Sequence, residues 1–325
     1  MYDVIALGEL LIDFTCLSTD ADGYPVMAAH PGGAPANFLA ALSKYGAKTA
    51  LIGKVGADAF GDLLISTLKK AGIETCGLVS SEDVFTTLAF VLLDETGNRE
   101  FSFSRKPGAD TRLSLDEVKL DLVDQTKVLH FGTLSLTDEP ARSTTYKLIE
   151  YAKAQGKGIS FDPNLRIPLW KDLNEAKKQI TWGLNKADIV KISDDEVAFM
   201  WGLGAQEGAE YLLEHFHVKL VFVTCGARGC YFNNGRVSGF VPSLDHVRVS
   251  DTTGAGDIFF GSAMWKLLRT DEPPEMLSEA GLREIVMFAN TAAGLSTTKQ
   301  GGIFSVPQYS EIEQEMEKQY HILRL

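Results

Sequence analysis

The chain has 325 residues, of which 45% are hydrophobic and 23% are charged, and its formal net charge is −12 at pH 7. This composition is that of a globular protein, and it excludes a disordered or collagen-like chain. An acidic surface repels nucleic-acid phosphates and anionic lipids, so we expect neither nucleic acid nor membrane as a partner. Any bound phosphate group must then be held by local dipoles, individual cationic side chains or Mg²⁺, and not by the overall charge.

The four cysteines, Cys16, Cys76, Cys225 and Cys230, form no CxxC pair. Their spacing favours reduced thiols over a structural zinc site. The N-terminal segment 1–14 has no basic region and no cleavage site. No apolar run approaches the ~18–20 residues that a membrane helix needs. We therefore expect a cytoplasmic protein.

Short runs rich in Val, Ile and Phe alternate along the chain with longer amphipathic segments. The short runs predict strands at 3–7, 49–53, 128–132, 158–162, 188–192 and 220–224. The longer segments predict helices at 35–45, 58–71, 139–155, 172–185, 194–201, 206–216, 255–269 and 280–298. Strands that are apolar almost throughout are covered on both faces. The alternation therefore predicts an α/β fold, with a mostly parallel sheet between layers of helices.

Residues 14–31 and 74–108 interrupt this alternation, because they contain strand-like pieces without helices. Within the second segment, two strand-like runs at 85–94 and 98–104 flank a short turn that contains Gly97, which predicts a hairpin. We expect these pieces to form a small separate sheet that caps the main domain. The predicted boundaries are 1–13, 32–73 and 109–325 for the α/β core, with 14–31 and 74–108 as a β-sheet lid.

The segment VSDTTGAGDIFFGSAM (249–264) carries the clearest chemical signal. Gly254, Ala255 and Gly256 are small enough for a ligand to approach the backbone. N–H groups at a helix start, together with the helix dipole, form an anion site. Asp257 follows in the first helical turn, where a carboxylate can take the proton of an attacking hydroxyl. The alternative is that Asp257 only favours the helix N-terminus.

A second segment, GGAPANFLAALSKYGAKTALIGKVGADAFG (32–61), completes a pair. Together the two segments resemble the paired signatures of the ribokinase-like (PfkB) family of sugar and nucleoside kinases, and the resemblance covers nearly the whole chain. It implies a ribokinase-like three-layer α/β/α domain with a central, mostly parallel sheet and a small β-sheet lid, which agrees with the pattern of elements above. It also implies an enzyme that uses ATP and Mg²⁺ to phosphorylate a small-molecule sugar.

The resemblance assigns the acceptor side of the site. Asp257 is implied as the catalytic base, with the amides of the GAGD motif as the anion hole. Asp13 is implied to accept hydrogen bonds from sugar hydroxyls, which are strong because the acceptor is charged. Gly32 and Gly33 would let the backbone touch the sugar, and Asn37 would hydrogen-bond it. The alternatives are a turn-capping role for Asp13 and a bond from Asn37 to its own backbone.

The resemblance also assigns the nucleotide side. It places these residues at the nucleotide: Ser193, Thr224, Gly226, Gly229 and Asn290. Glu196 is implied to hold the waters of Mg²⁺, and Ser193 stands where the family has asparagine. A simple tight turn at TCGARG (224–229) and a solvated helix position for Asn290 are the alternatives.

A possible K⁺ site is implied by a further set of residues, which align with a monovalent-cation site of many family members: Asp251, Thr253, Ser296, Gly301 and Ser305. Hard oxygen ligands suit this ion, and most of them would be backbone carbonyls.

Two further segments limit the choice of acceptor sugar. FSFSRKPGAD (101–110) and SFDPNLRIPLW (160–170) resemble segments of the fructokinases. Arg105 and Arg166 would then bracket the sugar or the transferred phosphate; their alternative is surface ion pairing. Fructose is therefore the expected acceptor. The other hypotheses are a 2-keto-3-deoxygluconate kinase, a ribokinase, an aminoimidazole riboside kinase, a nucleoside kinase, and a non-catalytic sugar or nucleotide sensor on the same fold.

A small sheet with an apolar far side is only marginally stable alone. We therefore expect a homodimer formed through the lids. The alternating apolar residues that suggest this contact are Phe85, Leu88, Phe90, Phe101 and Phe103.

Overall fold

The computed structural model describes residues 1–93 and 99–322. The strands are β1 (Tyr2–Leu7), β2 (Leu11–Thr19), β3 (Pro25–Gly32), β4 (Thr49–Gly56), β5 (Glu74–Ser81), β6 (Leu88–Leu93), β7 (Arg99–Ser104), β8 (Thr126–Gly132), β9 (Gly158–Asp162), β10 (Ile189–Ser193), β11 (Leu220–Thr224), β12 (Gly229–Asn233) and β13 (Ser238–Pro242). The α-helices are α1 (Ala34–Lys44), α2 (Ala59–Lys70), α3 (Leu120–Asp124), α4 (Ala141–Ala154), α5 (Leu173–Lys186), α6 (Asp194–Trp201), α7 (Ala205–His215), α8 (Ala255–Leu267), α9 (Glu279–Ser296) and α10 (Tyr309–Ile322).

Within the described residues, nine strands form a large sheet in the order β13-β12-β11-β10-β9-β8-β1-β4-β5. Seven neighbouring strands, β11-β10-β9-β8-β1-β4-β5, pair in parallel. The hairpin β12–β13 adds two antiparallel strands at the edge next to β11. The continuous apolar runs explain this, because a strand covered on both faces has no polar face to give to water. The predicted mostly parallel sheet is confirmed.

Each face of the large sheet is covered by its own hydrophobic core. Alternate residues of β1 show this: Val4 and Ala6 join the core beneath α1, α8 and α9, whereas Ile5 and Leu7 join the core beneath α4, α5 and α7. This is the side-chain alternation that a strand imposes. The result is the predicted three-layer α/β/α domain.

Two helices approach closely where the core supports the site. Gly261 of α8 faces the carbonyl of Phe38 on α1, and a Cβ at this glycine would overlap that oxygen. The missing side chain lets α1 and α8 pack backbone to backbone. This close packing places Asn37 of α1 beside Asp257 of α8.

A smaller sheet, the lid, has the strand order β3-β2-β6-β7. The predicted hairpin is present, because β6 and β7 pair antiparallel from Leu88↔Ser104 to Leu93↔Arg99. Its predicted turn, with Gly97, lies outside the described residues. Strand β2 pairs with both β3 and β6, so the two excursions of the chain join in one sheet.

The sheet pairing differs from the predicted boundaries at both ends of the lid. Residues 74–81 were expected in the lid, but they form β5, which pairs in parallel with β4 at the edge of the large sheet. The lid strand β2 begins at Leu11 and not at residue 14. An edge strand such as β5 is half-buried and lacks the apolar run of a central strand, so it resembles a lid strand in sequence.

Among the residues described, no helix combines the length and the apolar character needed to cross a membrane.

Candidate active site

A cavity of about 400 Å³ lies between the lid and the large domain. Its lid wall includes Asp13 and Thr15 of β2 and His30 of β3, and its floor includes residues 250–254 and Asp257. The floor also receives Asn164, which follows the carboxyl end of β9. Ligands of open α/β sheets bind at this edge, outside the carboxyl ends of the parallel strands.

The carboxylate of Asp257 is fixed from both sides. Asn37 Nδ2 donates to its Oδ2 at 2.9 Å, and Asn164 Nδ2 donates to its Oδ1 at 2.8 Å. Asp257 is 7% exposed and lies in the first turn of α8. Gly254, which precedes the helix, has φ of 76°, a left-handed conformation that favours glycine. The motif therefore aims one buried carboxylate into the cavity.

The protonation of Asp257 reflects competing effects. Burial raises its pKa above the ordinary value, and this effect outweighs the opposing charges of Lys191 and Arg166 and the hydrogen bonds from Asn37 and Asn164. A carboxylate with a raised pKa is a better proton acceptor than an ordinary aspartate. Its position at a helix N-terminus also places it beside backbone N–H groups. One of these, the amide of Ala255, already donates to Thr252 O at 3.3 Å.

Asp13 projects from the lid into the same cavity. A side chain at Gly32 would overlap Asp13 Oδ2, and Gly33 (φ 119°) passes so close to Glu9 O that it also leaves no space for a Cβ. These glycines keep the backbone next to Asp13 open. Burial raises the pKa of Asp13 to about 6, although the charge of Arg166 opposes the shift.

The two predicted arginines have different surroundings. Arg166 lines the cavity and is exposed. Arg105 is 5% exposed and does not line this cavity; its guanidinium donates to Asp110 Oδ2 at 2.8 Å and to Leu134 O at 2.8 Å. It also donates to Thr137 Oγ1 at 2.8 Å. Arg105 thus ties the end of β7 to Asp110 and to the turn at 134–137, while Arg166 is available to a ligand.

Of the residues expected at the nucleotide, Ser193 and Thr224 lie side by side, as register partners at the carboxyl ends of β10 and β11. Gly226 (φ 56°) and Gly229 (φ 127°) form the turn after β11, and a Cβ at Gly229 would overlap Val241 O. Asn290 is buried, and its Nδ2 donates to Val241 O at 2.9 Å and to Pro242 O at 3.1 Å. Packing thus accounts for Gly229 and Asn290 in this structure.

Glu196 is bonded to backbone amides. Its Oε2 accepts from Ser193 N at 2.8 Å, as in a capping box at the start of α6, and its Oε1 accepts from Leu165 N at 2.7 Å. A carboxylate offers about four acceptor positions. The remaining positions suit hydrogen bonds from the water shell of a divalent cation, so the residue fits its predicted role.

The five residues expected around K⁺ are only partly joined by hydrogen bonds. Asp251 Oδ1 accepts from Thr253 N at 2.9 Å, and Asp251 Oδ2 accepts from Gly301 N at 3.0 Å. The hydroxyls of Ser296 and Ser305 instead donate to carbonyls within their own turns, Ala293 O at 2.7 Å and Gly302 O at 2.8 Å.

Sequence reasoning did not single out several polar residues at the site. Asn164 lies in the noted 160–170 segment, but its bond to Asp257 was not expected. Lys191 and Asp162 form a buried ion pair with Nζ–Oδ2 of 3.0 Å. Glu9 lines the cavity, accepts from Ala34 N at 2.9 Å, and has its pKa raised to about 7 by burial. A charged residue inside an apolar run, as in DIVKI (188–192), was the available signal for Lys191.

A capped three-layer α/β/α domain with a buried carboxylate at a helix N-terminus is the architecture expected of a sugar kinase. Residues 1–309 match the family model described as pfkB family carbohydrate kinase, and the chain belongs to this family. The predicted family is confirmed.

Similarity to individual relatives extends over nearly the full chain. The chain is 40% identical over 311 residues to fructokinase-2 of Solanum lycopersicum, covering 95% of this chain and 94% of that protein. Its structure is similar to that of a fructokinase from Xylella fastidiosa with bound ATP (TM-score 0.89, 28% identity, 98% of this chain and 100% of that chain). It is also similar to a fructokinase from Vibrio cholerae O395 in a fructose-, ADP- and calcium-bound form (TM-score 0.83, 30% identity, 96% and 98% covered).

The pKa of Asp13 gives a prediction that needs no ligand. Because burial raises this pKa from 3.8 to about 6, the folded protein holds more protons here than the unfolded chain between these values. Stability therefore falls as the pH rises through that window. We predict that Asp13→Asn is more stable than wild type at pH 8, and that the difference shrinks towards zero near pH 4, as measured by urea unfolding.

A control is Asp3→Asn. Partial burial raises the pKa of Asp3, but the hydrogen bonds from Lys127 and from the amide of Lys48 together outweigh it, so the pKa is lowered. That variant should be less stable than wild type at pH 8. A stability difference for Asp13→Asn that does not depend on pH would contradict the assignment.

Proposed function

We propose that this protein is an ATP-dependent fructokinase that converts fructose to fructose 6-phosphate. The observation that carries the proposal is the Asp257 carboxylate, held by Asn37 and Asn164 at a helix N-terminus and facing a cavity that also contains Asp13. The fructokinase relatives support fructose as the acceptor. Bound ATP in the Xylella fastidiosa structure supports the phosphoryl donor.

In the proposed reaction, Asp13 and the backbone at Gly32 and Gly33 hold the sugar hydroxyls. Asp257 takes the proton of the attacking sugar hydroxyl. As this happens, the hydroxyl oxygen forms a bond to the γ-phosphorus of ATP, and the bond between the γ-phosphorus and the bridging oxygen breaks, so that ADP leaves. The amides of Gly256 and Asp257 stabilise the negative charge on the transferring group. Such transfer depends on positioning and on charge stabilisation, with no covalent enzyme intermediate.

We further propose a nucleotide side built from Ser193, Thr224 and Gly226, with Gly229 and Asn290 shaping the turn and strand around it. Glu196 would hold water molecules of Mg²⁺, and the ion when bound neutralises charge on the ATP phosphates.

Asp251, Thr253 and Gly301 would form the nearer part of a K⁺ site. Ser296 and Ser305 would contribute through their backbone carbonyls, since their hydroxyls already donate within their own turns.

The acceptor test is ADP release with fructose, ribose, 2-keto-3-deoxygluconate and aminoimidazole riboside. We expect fructose to give the highest kcat/KM, because a site that hydrogen-bonds a particular hydroxyl strongly rejects analogues that leave buried groups unpaired. A higher kcat/KM for any other acceptor would overturn the fructose assignment. If the sugar acid wins and Arg166→Ala removes its advantage, Arg166 binds the carboxylate instead.

The same assay tests the role of Asp257 with the variant Asp257→Asn, which keeps the shape of the side chain and removes its ability to accept a proton. We expect turnover to fall at least ~100-fold, with KM for fructose and ATP nearly unchanged. Turnover near wild type would remove Asp257 from its proposed role.

We also propose a cytoplasmic homodimer that associates through the lids. Exposed apolar side chains on or beside the lid strands support this contact: Leu17 (54%), Val26 (44%) and Phe85 (80%). Of the other residues expected in the interface, Leu88 packs against the core beneath α1, α8 and α9, Phe103 lines the cavity and Phe90 stacks on Phe14. The side chain of Phe101 lies outside those described. Light scattering should give twice the chain mass, and a monomer at working concentration would contradict the proposal.

A further inference from the structure

A buried ion pair lies behind the proposed base. Lys191 Nζ on β10 is 3.1 Å from Asp162 Oδ1 and 3.0 Å from Asp162 Oδ2, at the end of β9. The two side chains are only 7% and 5% exposed. Buried ion pairs are weak contributors to stability, because the loss of hydration offsets most of the attraction between the charges. Stability alone is therefore a poor reason for this pair.

The ion pair is joined to Asp257 through one residue. Asp162 Oδ1 also accepts from Asn164 N at 3.2 Å. Asn164 has φ of 44°, a left-handed conformation that is uncommon for a residue with a side chain. From this conformation, Asn164 Nδ2 donates to Asp257 Oδ1 at 2.8 Å. The ion pair thus anchors the backbone from which one of the two carboxamides reaches Asp257.

Other contacts hold the same loop without involving the ion pair. Thr133 N donates to Pro163 O at 3.2 Å, and Leu165 N donates to Glu196 Oε1 at 2.7 Å. The loop therefore keeps two anchors if the ion pair is removed. Loss of the pair should change the orientation of the Asn164 side chain more than it changes the overall fold.

The Lys191 ammonium also acts on Asp257 by its charge. It lies so close to Gly256 that a Cβ there would be 3.2 Å from Nζ. The cations facing Asp257 are Lys191 and Arg166, and the first is buried whereas the second is exposed to solvent screening. The carboxylates facing it are Asp13 and Asp162. Lys191 is therefore the buried charge that favours an ionised Asp257.

We propose that Lys191 and Asp162 are positioning residues for phosphoryl transfer: their ion pair holds Asn164, and Asn164 orients the carboxylate of Asp257. The inference rests on the proposed role of Asp257 as the base. Neither residue lines the cavity, so neither is assigned contact with the sugar.

The test is the double variant Lys191→Met/Asp162→Asn, which removes both charges and keeps similar volumes. We expect kcat to fall roughly 10- to 100-fold, the scale of a small misplacement at the reacting atoms, with KM for fructose and ATP little changed. The pH profile is measured on Lys191→Met alone, which removes the cation and keeps Asp162. Because Lys191 opposes protonation of Asp257, its removal raises the pKa of the base, and the acid limb of the kcat profile should move to higher pH. A purely structural pair would not produce this change.

A second variant, Asn164→Ala, tests the route. It is combined with the double variant to give the triple variant Lys191→Met/Asp162→Asn/Asn164→Ala. If the ion pair acts through Asn164, this triple variant should lose little more kcat than Asn164→Ala alone, because the effects of coupled residues do not add. Independent effects would multiply instead, and that outcome would overturn the proposed route. If the double variant does not fold, the pH profile of Lys191→Met decides, because the remaining Asp162 can become neutral by protonation; an acid limb at the wild-type pH would overturn the proposal.

The matched control is Lys219→Met/Asp188→Asn. This ion pair has an Nζ–Oδ1 distance of 3.1 Å and is partly exposed. Its residues directly precede β10 and β11, so the pair lies at the sheet edge opposite to the site. Its loss should leave kcat and the pH profile unchanged. Wild-type kcat for a folded Lys191→Met/Asp162→Asn enzyme would overturn the inference, while inactivity of wild type towards fructose would instead refute the proposed function.

Discussion

Two carboxamide hydrogen bonds to one buried carboxylate are the constraint on which the site depends. The partners come from distant parts of the chain: Asn37 is 220 residues from Asp257 in sequence, and Asn164 is 93 residues away. A buried carboxylate is costly unless it is hydrogen-bonded and faces a compensating charge. The close packing of α1 on α8 at Gly261 and the turn after β9 therefore both serve to satisfy Asp257.

The fold supplies the rest of the site by geometry. Parallel strands end at one edge of the sheet, so the residues after β9, β10 and β11 converge beside the N-terminus of α8. The lid adds Asp13 from the opposite side and forms one wall of the cavity. For an acidic chain with a net charge of −12, this arrangement offers an anionic ligand local backbone dipoles in place of a positive surface.

The large elements could be predicted because their signals are local. Continuous apolar runs indicated the parallel strands, and GAGD before an apolar helix indicated the site. Edge and terminal elements were missed: β5 was assigned to the lid, and the polar helix α10 was not predicted. The ion pair of Lys191 with Asp162 and the hydrogen bonds from Arg105 to Leu134 and Thr137 depend on partners brought together only by tertiary folding. No pattern along the chain specifies them.

The most direct measurement is a crystal structure of the protein with fructose and a non-hydrolysable ATP analogue. We expect the C6 hydroxyl of fructose within ~2.6–3.2 Å of an Asp257 carboxylate oxygen, another hydroxyl on Asp13, and the γ-phosphate at the N-terminus of α8. A sugar bound with its reacting hydroxyl away from Asp257, while Asn37 and Asn164 keep their bonds to that carboxylate, would contradict it.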